Sequence, residues 1–65
     1  MQLTVNGENR QVASENVAAL LKELEITGTH VAVAVNLQVI PRSGHSQTQL
    51  KEGDKVEIVH AVGGG

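Results

Sequence analysis

The chain has 65 residues, a formal net charge of −2 and no cysteine, and although 40% of its residues are hydrophobic, none is Phe, Trp or Tyr. Such a length makes one domain at most, burying only about 60% of its unfolded surface, so there is no room for an enclosed cofactor pocket and the core is built from Val, Leu, Ile and Ala. The missing thiols exclude disulfides, thiolate metal ligands and cysteine nucleophiles, and the lack of basic runs and aromatic platforms weighs against nucleic-acid and anionic-membrane partners.

Met1, Leu3 and Val5 alternate with Gln2 and Thr4, the period of a half-buried strand. Asn6-Gly7 follows, the strongest short hairpin signal, because a type I′ turn needs positive φ at both central positions. A second strand is expected over 9–13 with Val12 inward. Val17, Leu20, Leu21 and Leu24 then recur at helical spacing, with Lys22, Glu23 and Glu25 on the wet face, which predicts a helix over 17–25. Asn16 or Ser14 can cap its start, and Gly28 lies where the chain must leave it.

In the run His30-Val31-Ala32-Val33-Ala34-Val35, β-branched residues alternate with small ones, so a strand is expected with one bulky, buried side and one small side. Asn36-Leu37-Gln38 breaks it, Val39-Ile40 resumes, and Pro41 closes the run, since a ring without N–H suits a strand end. Residues 42–49 read as a polar loop or short turn. The stretch 50–54 reads as a turn into a last strand over 55–60, with Val56 and Ile58 on one face. A helix with a single apolar stripe must cover one face of the sheet, giving an α+β layer pair.

Candidate chemistry is sparse. His30, His45 and His60 are fifteen residues apart, without the tight spacing of metal ligands on one element, and read as surface or strand-end histidines. The carboxylates scatter over turns, helix and final strand without marking a buried pair, and the serines lack a nucleophile elbow. Arg42 reads as a solvated charge. No metal and no bound cofactor are expected. The first residues lack the charged start and apolar run of a signal peptide, and no window approaches a membrane span, so a soluble, cytoplasmic chain is expected.

The end is different. Ala61-Val62-Gly63-Gly64-Gly65 offers nothing to pack beyond Val62 and finishes in a carboxylate. Extended, five residues reach roughly 17 Å, enough to place the carboxylate of Gly65 inside another protein's cleft while a domain over 1–60 stays outside. A carboxylate ionised at neutral pH can attack the α-phosphate of ATP and become an acyl-adenylate, which a sulfur or amine nucleophile then opens. On the small side of the best strand, Ala32 and Ala34, together with Val59 of the last strand, would form an exposed apolar patch suited to docking if the helix covers the valine side.

The runs Val33-Ala34-Val35-Asn36, Val39-Ile40-Pro41-Arg42 and Leu50-Lys51-Glu52-Gly53-Asp54-Lys55-Val56-Glu57-Ile58-Val59, with the Gly-Gly-Gly end, resemble the ThiS family, sulfur carriers of thiamine biosynthesis. The resemblance implies a ubiquitin-like β-grasp fold: a mixed sheet of four to five strands, first and last side by side, with one main helix on one face. It implies a carrier rather than an enzyme. A partner adenylating enzyme would use ATP and magnesium on Gly65, a sulfur donor system would convert it to a thiocarboxylate, and thiazole synthase would take the sulfur. Val62, Gly63 and Gly64 match the tail that partners grip. Where the family often carries an aromatic after Pro-Arg, His45 stands nearest. Three alternatives remain open at this point: a carrier like the small subunit of molybdopterin synthase, although such chains run longer with prolines before the glycines; a ubiquitin-like modifier; and a small non-covalent binding domain with an incidental glycine tail.

Overall fold

A computed structural model describes residues 1–26 and 30–60. Its elements, in chain order, are strands β1 (Gln2–Val5) and β2 (Glu8–Gln11), helix α1 (Val17–Glu23), strands β3 (Val31–Val35) and β4 (Gln38–Ile40), a 3-10 turn (Arg42–Gly44) and strand β5 (Lys55–His60). The strands form one five-stranded sheet in the order β2-β1-β5-β3-β4. The central β1–β5 pair is parallel and the other pairs are antiparallel.

Alternation decides which side of the sheet is covered. Leu3, Val5, Val33, Val56 and Ile58 point to one face and are buried there with Val17 and Leu20 of the helix, Val12 and Leu50. Burial of this kind stabilises by about 1.5–3 kcal/mol per Val or Leu side chain. The α+β layer pair is the one expected from the sequence pattern, and the adjacent first and last strands are those implied by the resemblance.

Several boundaries differ from the sequence reading. The second strand ends at Gln11, and Val12 is buried beyond its end, where its N–H donates to the Met1 carbonyl at 2.8 Å. The helix stops at Glu23 rather than 25 because the chain turns left-handed at Glu25 (φ 58). There the Ile26 N–H reaches the Leu21 carbonyl (2.8 Å) and the Glu25 N–H reaches that of Lys22 (3.1 Å). This is a Schellman ending, with Ile26 and Leu21 both packed against the core. The expected exit at Gly28 lies outside the described residues.

At the other end of α1 the cap is Asn16, whose Oδ1 accepts the Ala19 N–H at 2.8 Å. The polar loop after β4 supplies the remaining acceptors: Val17 N–H donates to Thr48 O (3.2 Å) and Ala18 N–H to His45 O (3.1 Å). The orphan donors of the helix start are thus closed by the chain itself. His45 departs from the surface position expected for it. It is buried, its Nε2 lying 3.3 Å from the Ile40 carbonyl, because this loop folds over the helix start instead of standing in solvent.

Candidate functional site

The tail residues singled out from the sequence, Val62, Gly63, Gly64 and Gly65, lie outside the described residues. What the structure describes is the strand that leads to them. β5 sits at the centre of the sheet, paired along its whole length with β3, from Val35↔Val56 to Val31↔His60. On its other edge β1 follows in parallel, with Thr4 N–H to Asp54 O (3.0 Å) and Asn6 N–H to Val56 O (2.9 Å).

Past Val5 the β1 chain turns away, and a side chain takes over its hydrogen bonding. Asn6 Oδ1 accepts the Ile58 N–H at 2.8 Å, and its Nδ2 donates to the Ile58 carbonyl at 3.1 Å. The carboxamide presents the same donor and acceptor as a peptide group, so one residue serves both the positive-φ turn and the ladder. β5 is therefore held on both edges as far as Ile58, and Val59 and His60 continue on the β3 edge.

Of the docking candidates, Ala32 and Val59 are direct sheet partners, and Ala34 lies between Glu57 and Val39. All face away from the helix. Ala32 is exposed, Ala34 half-buried and Val59 60% exposed. The sequence reading missed Val39, 72% exposed on the same face, because Gln38-Val39-Ile40 has no clean alternation from which to assign sides. It also missed Leu37, which is 88% exposed at the tip of the β3–β4 hairpin with φ 70. A left-handed leucine costs on the order of 1–3 kcal/mol.

Elsewhere the polar groups serve the fold. The Glu23 carboxylate accepts the Ser14 hydroxyl and the N–H groups of Ser14 (3.0 Å) and Ala13 (3.1 Å). These bonds, the Ser14 hydroxyl foremost, hold its pKa below the ordinary value of 4.5. An open groove of about 450 Å³ beside them is lined by Glu8, Arg10, Glu23 and Glu25 among others, on the helix side of the molecule. It brings no nucleophile and base together. His30 and His60 are exposed and far apart in role from buried His45, and among the described residues no three His, Asp or Glu side chains are placed to hold a metal. Among them, too, no helix is long and apolar enough to cross a membrane.

A mixed sheet with a parallel central pair, one helix across a single face and a central last strand running into a glycine tail defines a β-grasp domain of the ubiquitin-like carrier class. The model of the ThiS family matches residues 3–65, and the chain belongs to that family. It is similar over its whole length to a thiamine biosynthesis protein (ThiS) from Geobacter metallireducens of known crystal structure, with 39% identity, full coverage of both chains and a TM-score of 0.85. It is 30% identical over 66 residues to the sulfur carrier protein ThiS of Escherichia coli, covering all of both. It is also 47% identical over 66 residues to the thiazole synthase of Paramagnetospirillum magneticum, where all of this chain spans only 20% of that protein's length.

Proposed function

We propose that this chain carries sulfur in thiamine biosynthesis as a thiocarboxylate on Gly65. The carboxylate attacks the α-phosphate of ATP on an adenylating enzyme that supplies the magnesium, and pyrophosphate leaves. Sulfur delivered at the oxidation level of sulfide by a donor system then attacks the acyl carbon. A C–S bond forms, the C–O bond to AMP breaks, and the thiocarboxylate remains with no net redox change. Thiazole synthase receives the sulfur. The chain acts as a co-substrate of these enzymes, in the cytoplasm where ATP is supplied.

The observation that carries this reading is the family match running through the last residue, Gly65. The fold supports it in two ways. The central strand that leads to the tail is hydrogen-bonded on both edges as far as Ile58. The open face with Ala32, Ala34 and Val59 offers partners an apolar surface beside that root, while Val62, Gly63 and Gly64 are the residues a narrow channel would grip.

The test is removal of Gly64 and Gly65 in a reconstituted thiazole-forming assay. A carrier loses all sulfur delivery; a binding module retains its function, and retention would overturn the proposal.

A further inference from the structure

Two costs meet at Leu37 without any return among the described residues. The residue holds a left-handed conformation that asparagine or glycine adopts far more readily, and it exposes 88% of a large apolar side chain to water. The turn does not wander. Asn36 N–H donates to Lys55 O (2.7 Å), Lys55 N–H donates to Asn36 Oδ1 (3.0 Å), and Asn36 Nδ2 donates to Asp54 Oδ1 (3.0 Å). Asp54 is itself fixed by accepting the Lys51 N–H at 2.8 Å. Leu37 is thus presented on a hairpin tip pinned to the start of the central strand, two residues before exposed Val39 and at one end of the open face.

A rigid, exposed, strained leucine next to an apolar sheet face has the character of an interface anchor, because its ordering cost is met before binding. We infer that Leu37, with Val39 beside it, inserts into an apolar pocket on thiazole synthase and fixes the orientation in which the tail is delivered. This assignment rests on the carrier reading above. Thiazole synthase is the occupant favoured because a relative of that name contains, in one polypeptide, a stretch similar to this entire chain.

The test compares wild type with Leu37→Gly, a substitution that removes the anchor and suits the observed φ, so the fold is retained. Dissociation constants are measured by calorimetry against the thiazole synthase and, in parallel, the adenylating enzyme of the same organism. We expect Leu37→Gly to weaken thiazole synthase binding about tenfold. Leu37→Met, which keeps an apolar side chain, restores most of it, and a Leu37→Asn variant, comfortable at positive φ but polar, behaves like glycine. Undiminished binding by Leu37→Gly overturns the assignment, as does absence of wild-type binding or a larger loss with the adenylating enzyme. The carrier reading is checked separately by whether the wild-type chain acquires sulfur at Gly65. Sulfur acquisition with unchanged Leu37→Gly binding sinks the anchor alone.

Discussion

The two hairpins of this sheet solve one problem with different residues. Asn6-Gly7 and Asn36-Leu37 each join antiparallel strands through two residues at positive φ (49 and 83, 51 and 70). In each, the asparagine side chain bonds back to β5, at Ile58 in one case and at Lys55 in the other. The second turn position separates them. Gly7 is what the conformation asks for, with nothing within 4 Å of where a Cβ would stand; Leu37 is what it resists. Where a residue agrees with its local geometry the fold accounts for it, and where it disagrees without internal compensation the reason is sought outside the fold.

The largest effect that would break the symmetry lies in the asparagines. Asn6→Ala strips partners from both the N–H and the carbonyl of Ile58, which are partly buried, and places alanine at φ 49. Chemical denaturation should show a loss of about 2–3 kcal/mol. Asn36→Ala breaks solvent-exposed bonds and should cost about 1 kcal/mol. Equal losses would mean that the ladder mimicry of Asn6 contributes nothing beyond the turn.

Exchanging the second positions sharpens the contrast further. Gly7→Leu should destabilise by about 1 kcal/mol through backbone strain alone, since no clash awaits its side chain. Leu37→Gly should stabilise by up to about 1 kcal/mol, readable as a rise in melting temperature. A leucine that proves stabilising would show an unseen structural role at the second hairpin.

The smallest effect concerns a tie that only the first hairpin has. Its second strand leads into Ala13 and Ser14, which Glu23 clamps to the last turn of the helix. Because the folded-state pKa of Glu23 is lowered, this contribution is fully present above the ordinary value of 4.5 and fades as pH falls through the folded value. Unfolding measured from pH 6 to 3 should therefore show a modest acid-side loss that Glu23→Gln abolishes. A pH slope unchanged in Glu23→Gln would mean that the clamp contributes nothing to stability.

Much of this was legible because it is written locally. Asn6-Gly7, the helical spacing from Val17 to Leu24 and the valine–alanine alternation of β3 each state their own structure, and parity alone brings Ala32 and Val59 to one face. The features that escaped depend on contacts between distant segments. The burial of His45 follows from a loop folding onto the start of the helix, and Glu23 looks like any exposed acid until Ser14 is placed beside it. The helix stops at Glu23, closed by a left-handed turn at Glu25 and hydrogen bonds that no glycine announces there. Asn36-Leu37 lacks the glycine that marks its sister turn, so it read as a break rather than a hairpin. The role of the terminal carboxylate rests on elimination and family resemblance, and Gly65 itself lies outside the described residues.

The proposed sulfur chemistry rests on Gly65. It is tested most directly by the intact mass of the chain after incubation with its adenylating enzyme, ATP, magnesium and a sulfur source, beside a version lacking Gly65. The predicted result is a gain equal to replacing one oxygen by sulfur, localised to the C-terminal peptide and absent from the shortened chain. An unchanged mass with a demonstrably active enzyme, or a gain that survives deletion of Gly65, would contradict it.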